Sequence, residues 1–439
     1  MIERYETPVM KQIWNNENRL TLWMKFQIDV CEALHQLKII PKQDFSLIKK
    51  NVKLDIKLMD KLELETKHDV VAFTRMLSAN LKDESRWIHF GLTSTDMVDS
   101  VLNLQIKLAN EVIVKSLTDL QSKLKDLAFK YKKQLVIGRS HGIFGEPTSL
   151  GLKFALWYDE INRQLVRLML ARKQIEVVKI TGAMGNFAHI NPEFSEIVAK
   201  KWNMETDSCA TQVVQRDRHI FLITQLSAIA TTIEKIALEI RLSQRSEVNE
   251  LLEGFGSGQK GSSSMPHKKN PIGSENICGL ARLIRSYNSA AYENNLLWYE
   301  RDISHSSNER VIIPDIYHSL DFIITRMSSI LDNLVVNTEA MTSNIAKANG
   351  LYFSQPILLT IIKNNSKITR EIAYDFVQNC TLEAQKTHVD FKTSLEKNNI
   401  YKYLSPEQLN QCYNNDNFLK NIDYIFTRVF DNKLITNKE

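Results

Sequence analysis

Residues 221–242 read FLITQLSAIATTIEKIALEIRL. Leu222, Leu226, Ile229, Ile233, Ile236 and Ile240 recur at alternating steps of four and three, the spacing that places side chains along one face of an α-helix. The charged residues Glu234, Lys235, Glu239 and Arg241 fall outside that seam. Ile113, Leu117, Leu120, Leu124, Leu127 and Tyr131 repeat the pattern, as do Leu280, Ile284, Tyr287 and Ala291, and Ile323, Met327, Ile330 and Leu334. Several such seams in one chain predict a helical bundle. Proline, which breaks helices, is missing from Pro41 to Pro147 and from Pro192 to Pro266, so very long helices are permitted. Strand-like alternation is weak throughout. The expected fold is all-α, with three domains around a long central helical bundle: 1–92, 93–345 and 346–439, the last opening at Asn349-Gly350.

Composition narrows the function classes. Apolar residues at 43% and charged residues at 24% suit a soluble globular chain. No run of about 18 apolar residues suggests a membrane span. The opening MIERYETPVMKQIW lacks the apolar segment of a signal peptide, so a cytoplasmic protein is expected. Net charge of +5 over 439 residues is too mild for a nucleic-acid signature. Cys31, Cys209, Cys278, Cys380 and Cys412 are scattered, with no CxxC pair or Cys/His cluster, so neither a disulfide framework nor a metal site is expected.

Four unusual segments interrupt the helices: HFGLTSTD (89–96), GRSHGIFGEPTS (138–149), LEGFGSGQKGSSSMPHKKNPIGSE (252–275) and ERDISHSSNER (300–310). Loops between rigid helices are where chemistry tends to reside. In the third, Gly254, Gly256, Gly258 and Gly261 form a mobile lead into a cationic turn. That arrangement suits a lid closing over an anion, and it equally suits a solvated linker. The phosphate-cradling pattern GxxxxGK[ST] is missing, so nucleotide hydrolysis is not indicated. His141 offers a group that titrates near neutral pH. Thr93 and Ser94, with Asp96, can cap the following helix or present hydroxyl and N–H groups to a carboxylate. Arg301, Ser306 and Arg310 suit a phosphate monoester, although a capped helix start explains the same residues.

GSSSMPHKKNP at 261–271 is similar to the signature GSSxMPxKxNP of the fumarase/aspartase superfamily, with every fixed position present. IERYETP (2–8), TKHDVVAF (66–73), IHFGLTSTD (88–96), GRSHG (138–142) and TQVVQRDRH (211–219) resemble the adenylosuccinate lyase family within it, and His267 fits that branch. The resemblance spans nearly the whole chain. It implies β-elimination of fumarate from adenylosuccinate, giving AMP, and from SAICAR, giving AICAR. It also implies a homotetramer whose active sites draw loops from several chains, and no cofactor.

The residue roles follow from the same resemblance. Ser262 matches the catalytic base and His141 the general acid, with Glu275 as the carboxylate that holds the histidine ring. Lys268 matches the cation that stabilises the carbanionic intermediate, and His68 a further catalytic group. Ser263, Asn270, Asn276 and Gln212 match substrate contacts. Arg4, Tyr5, Lys67, His68, Asp69 and His89 match contacts to the nucleotide. Thr93 and Ser94 match contacts to the succinyl group; Arg301, Ser306 and Arg310 match phosphate and carboxylate contacts. Lys269 reads as a solvated bystander. Two positions depart from the family pattern. Lys67 replaces an arginine, giving charge without the fork geometry. Phe144 replaces a histidine, which puts local packing in question. Argininosuccinate lyase and carboxymuconate cycloisomerase share the signature loop and form the alternative reading. An inactive structural homologue is the alternative of another class.

Overall fold

A computed structural model describes residues 1–256 and 258–431. Ser257, inside the glycine-rich lead, and residues 432–439 of the expected C-terminal domain lie outside the described residues. Five long helices dominate: α1 (Ser94–Lys130), α2 (Leu150–Ile175), α3 (Asp217–Ser243), α4 (Ile272–Glu293) and α5 (Ser304–Asp332). The seams fall on them as their spacing demands. Leu222, Leu226, Ile229, Ile233, Ile236 and Ile240 of α3 are all buried, as are Ile113, Leu117, Leu120 and Leu124 of α1. By length and mean hydropathy α3 could cross a membrane, but most of its apolar stretch is covered by protein.

The chain divides into two compact units, and each long helix contributes residues to both. The first comprises Met1–Asp119, Arg163–Glu234 and Asn276–Met327. Its core gathers Trp23, Phe26, Phe73, Met97, Val101 and Trp202. Trp23 meets Phe73 edge-on at 5.3 Å, and Phe26 meets Trp202 at 5.8 Å. The second comprises Leu120–Asn162, Lys235–Glu275 and Ser328–Glu439. Its C-terminal part packs Phe353, Ile357, Ile361, Val377, Phe391 and Leu395 into a separate core.

Two local features differ from the sequence expectation. Pro314 lies inside α5. An interior proline costs about 3 kcal/mol, but Ile313, Ile316, Tyr317 and Leu320 are buried around it. Each such side chain contributes roughly 1.5–3 kcal/mol, enough to hold the helix through the break. Segment 138–149, expected as a loop, is most of an antiparallel hairpin: β1 (Leu135–Ser140) pairs with β2 (Ile143–Ser149). Its two-residue turn places His141 at φ +54° and Gly142 at φ +80°, the pair of positive φ values that a tight, twist-matched hairpin requires. Leu251–Leu252 and Val335–Val336 form another short antiparallel pair, which anchors the start of the glycine-rich loop.

Candidate active site

The second unit carries the signature loop and the hairpin. The Ser262 hydroxyl oxygen accepts hydrogen bonds from the backbone N–H groups of Ser264 (3.3 Å) and Met265 (3.1 Å). A turn of this kind points two amide dipoles at the oxygen, which favours negative charge there. Opposite it, the Asn270 side-chain amide donates to the Gly261 carbonyl at 3.0 Å. Gly261 has no room for a side chain: a Cβ there would lie 2.0 Å from the Lys268 carbonyl oxygen. The signature therefore closes on itself, and the glycine is what lets its two arms meet. Ser263 and Lys268 are exposed. The Lys269 ammonium sits 5.4 Å from the Phe255 ring centroid, a surface contact in keeping with a bystander.

Both ends of this loop are tied. The Glu253 carboxylate accepts from the N–H groups of Gly273 (3.0 Å) and Ser274 (2.6 Å), capping the start of α4. Gln244 reaches both sides, accepting from Glu253 N–H at 2.9 Å and donating to the Lys269 carbonyl at 3.0 Å. Glu275 is exposed in the first turn of α4, and among the described residues no hydrogen bond or ion pair joins it to His141.

His141 projects from the hairpin turn and is exposed. Its position is fixed two residues earlier. Arg139 makes a bidentate ion pair with buried Glu250 (2.8 and 2.9 Å), and Asn344 donates to the same carboxylate at 2.9 Å. Phe144, the departure from the family pattern, lies 5.3 Å below the Arg139 guanidinium. A ring that stacks on the arginine thus stands where the family pattern has a histidine.

The first unit carries the other expected residues. Arg310 donates to Asp69 at 2.7 Å, and its Nε lies 3.5 Å from the Ser306 hydroxyl. Burial works to raise the Asp69 pKa, but the bond and charge of Arg310 hold that carboxyl below the usual range. His68 caps the helix Asp69–Ser78 through Nδ1, and Lys67 and His68 are exposed beside it. His89 sits at φ +62° and accepts from the Gln27 amide at 3.0 Å; burial lowers its pKa, so it is a neutral hydrogen-bonding group. Thr93 N–H donates to Asp96 at 2.8 Å, so Asp96 holds the turn that presents Thr93 and Ser94. Asp96 is itself fully buried, and its other oxygen accepts from Lys179 at 2.7 Å and from the N–H of Thr181 at 3.0 Å. Arg301 donates to the Gln212 side chain at 3.1 Å, and Thr95 donates to the Gln212 carbonyl. Asn276 accepts from Arg326 at 3.3 Å. Arg4 is exposed, and Tyr5 packs edge-on against Phe322.

Sequence reasoning missed the buried charges behind these residues. Arg216 is 2% exposed and binds two carboxylates at once: Asp99 at 2.7 and 3.1 Å, Glu309 at 2.9 and 3.0 Å. Asp99 also accepts from Val214 N–H at 2.8 Å. Burial drives both carboxyls upward; it prevails at Glu309, whereas the Arg216 charge and hydrogen bonds hold Asp99 down at about 2. This cluster joins the helix after Thr93–Ser94, the segment after Gln212 and the helix bearing Ser306 and Arg310. Arg301, Ser306 and Arg310 line a cavity of about 270 Å³ together with Trp14, Arg19 and Trp23.

With that geometry in place, likeness to known proteins is decisive. The family model for lyases matches residues 3–285, and the model for the adenylosuccinate lyase C-terminus matches residues 350–429. The chain is 46% identical to adenylosuccinate lyase of Bacillus subtilis over 98% of its own length and 99% of that protein's. The chain belongs to the adenylosuccinate lyase family. The adenylosuccinate lyase of Staphylococcus saprophyticus is likewise 46% identical, over 98% of this chain and 99% of that one. Membership makes the chain a carbon–nitrogen lyase. Solved structures agree on the fold alone. Fumarate lyase from Mesorhizobium sp. BNC1 superposes with a TM-score of 0.88 at 19% identity, covering 98% of this chain and all of that one. The β-carboxy-cis,cis-muconate cycloisomerase from Acinetobacter calcoaceticus sp. ADP1 superposes at 0.84 and 20% identity, covering 97% and 98%. The all-α architecture expected from the seams, and its fumarase/aspartase-like form implied by the signature resemblance, are thereby established.

Proposed function

We propose that this lyase releases fumarate from adenylosuccinate, leaving AMP, and from SAICAR, leaving AICAR, with Ser262 as the base. The observation that carries the assignment is the pair of N–H groups on the Ser262 oxygen, inside the one segment that matches the superfamily signature at every fixed position. A serine is a weak base until its alkoxide is stabilised, and two amide dipoles and a nearby ammonium lower that cost. Ser262 takes the proton from the succinyl carbon beside a carboxylate. The electron pair left behind spreads into that carboxylate, where Lys268, Asn270 and Ser263 meet the added charge. As the pair forms the new C=C bond, the C–N bond breaks, and His141 protonates the departing nitrogen. Glu275 is assigned to orient His141 in the assembled site, although no bond joins the two within the described chain, and His68 is a further catalytic group; Gln212 and Asn276 contact the substrate. Arg4, Tyr5, Lys67, Asp69 and His89 bind the nucleotide, Thr93 and Ser94 the succinyl carboxylate, and Arg301, Ser306 and Arg310 the phosphate.

The same reading makes the protein a cytoplasmic homotetramer with shared active sites, divided at 1–92, 93–345 and 346–439. The C-terminal family match starting at residue 350 supports the last boundary. Large apolar side chains exposed on the long helices, among them Leu156, Phe221, Leu238, Leu242 and Leu283, support burial against further copies. Five unbridged cysteines accord with a reducing compartment.

Ser262→Ala tests the assignment. Fumarate release from adenylosuccinate is expected to fall by roughly a hundredfold or more, the loss typical for a general base, with the folded state unchanged. Undiminished release would remove Ser262 from the mechanism. Fumarate from argininosuccinate but not from adenylosuccinate would move the chain to another branch.

A further inference from the structure

The cavity in the first unit contains a cation that the reading above leaves without a task. Arg19 lies on the helix Asn16–Gln36 and lines the cavity with Arg301, Ser306 and Arg310. Its guanidinium donates only to a neutral acceptor, the Asn16 side-chain oxygen, at 2.7 and 3.3 Å. It rests 4.7 Å from the Trp23 ring centroid, which fixes its plane against the cavity wall. No carboxylate lies within ion-pair distance of it among the described residues. Burial and, next, the charge of neighbouring Arg310 push its pKa below the usual guanidinium range, against the weaker pull of Asp69 and Glu63, which form no ion pair with it. Two guanidinium groups are thus held close enough to repel each other.

The rest of the wall has the same character. Arg301 also lacks a carboxylate partner among the described residues; one of its nitrogens donates to Gln212, and its Nε is buried with none. His305 is 3% exposed and lines the cavity, with Nδ1 unpartnered among the described residues. Arg216 is matched by Asp99 and Glu309, and Arg310 by Asp69 alone. Four arginines thus face three carboxylates, and Arg19 and Arg301 are the two with no carboxylate at ion-pair distance among the described residues. Holding like charges together without a counter-ion costs stability unless an anion occupies the space between them.

We propose that Arg19 is a substrate-contact residue, which with Arg301 and Arg310 grips a phosphate monoester dianion in this cavity. The proposal rests on the assignment of Arg301, Ser306 and Arg310 to the nucleotide phosphate and extends it to a residue outside the signature segments. It also gives the cavity a planar, two-pronged donor, a geometry that a lysine does not supply. Trp14 and Trp23 supply apolar wall, and charge-assisted hydrogen bonds to a phosphate would be the strong contacts there.

The test is calorimetric binding of AMP, adenosine and inorganic phosphate to the full chain and to Arg19→Gln and Arg19→Lys, with a thermal melt confirming that each variant folds. Arg19→Gln should weaken AMP roughly tenfold or more, the loss of a charge-assisted contact, while adenosine binding stays unchanged. Arg19→Lys should recover part of the loss, since charge returns without the fork. Unchanged AMP affinity in Arg19→Gln overturns the proposal. So does equal weakening of AMP and adenosine, which would make Arg19 a shaping residue. Inorganic phosphate that binds the wild type without competing with AMP would also overturn it, by assigning the cavity to a free anion. A wild-type protein that releases no fumarate from adenylosuccinate would overturn the lyase reading, while the binding comparison would still decide the role of Arg19.

Discussion

The buried charge cluster of the first unit and the signature loop of the second solve opposite problems with similar residues. Arg216, Asp99 and Glu309 are each almost fully excluded from solvent, and four hydrogen bonds no longer than 3.1 Å join them. Ser263, Lys268 and Lys269 are exposed, and their loop is held by a few local hydrogen bonds of its own and by ties at its ends. Buried pairs fix geometry because leaving either partner alone is prohibitive. An exposed loop pinned at its ends can open to admit substrate and still return its serine to the same place. The residues proposed to bind the nucleotide are mounted on a buried frame, and the proposed base on an exposed loop tied at its ends.

Breaking the frame should have the largest effect. Arg216→Met leaves Asp99 and Glu309 buried with no counter-charge. It should destabilise the chain by about 3–5 kcal/mol, the range for removing one partner of a buried pair. A fall in the urea unfolding midpoint would register it, or the variant would not accumulate as folded protein. A midpoint within error of wild type would mean that the cluster holds nothing in place.

Breaking the loop should act on rate and not on stability. Gly261→Ala puts a methyl group 2.0 Å from the Lys268 carbonyl, so the two arms of the signature must part. Misplacing a reactive group by about 1 Å costs roughly a hundredfold in rate. The measured pair should be a turnover loss of about that size with an unchanged unfolding midpoint. A lowered midpoint with normal turnover would reverse the contrast between the two regions.

The two regions also differ in how far the sequence reveals them. The seams on α1 and α3 are visible because burial repeats along a single helix, and the loop is visible because its glycines, serines and lysines are contiguous. The hairpin is hidden by Gly138, Gly145 and Pro147, which weaken any strand pattern. Its one clue is His141-Gly142, since histidine tolerates positive φ better than most residues. The cluster is hidden for a different reason. Arg216 and Glu309 both lie in quoted segments, yet Arg216 finds its partners 93 and 117 positions away. Nothing local distinguishes an arginine destined for the core from one destined for solvent.

Acid should loosen the frame before it affects the loop, and this is the smallest effect expected. His305 is buried near Arg216 and Arg301, with Asp99 and Asp302 acting against them; burial first, then Arg216, lowers its pKa to about 4. His219 is buried beside Arg216, Asp99 and His305, and the same two causes lower its pKa to about 3. Both histidines are neutral when folded and would take up a proton at the ordinary value of 6.5 when unfolded. The unfolded chain therefore binds more protons once pH drops below 6.5, and stability falls with it. Each histidine contributes a slope of roughly 1.4 kcal/mol per pH unit, ending near pH 4 for His305. Asp99 adds nothing in that window, since its depressed pKa gives stability that is lost only below 3.8. Urea midpoints at pH 7.5 and 5.5 should differ in the direction of acid lability. Replacing His305 with Gln, which cannot charge, should remove its share of the slope and leave that of His219. An identical slope in the variant would show that His305 titrates alike in the folded and unfolded chains, and that the buried frame draws its pH response from elsewhere.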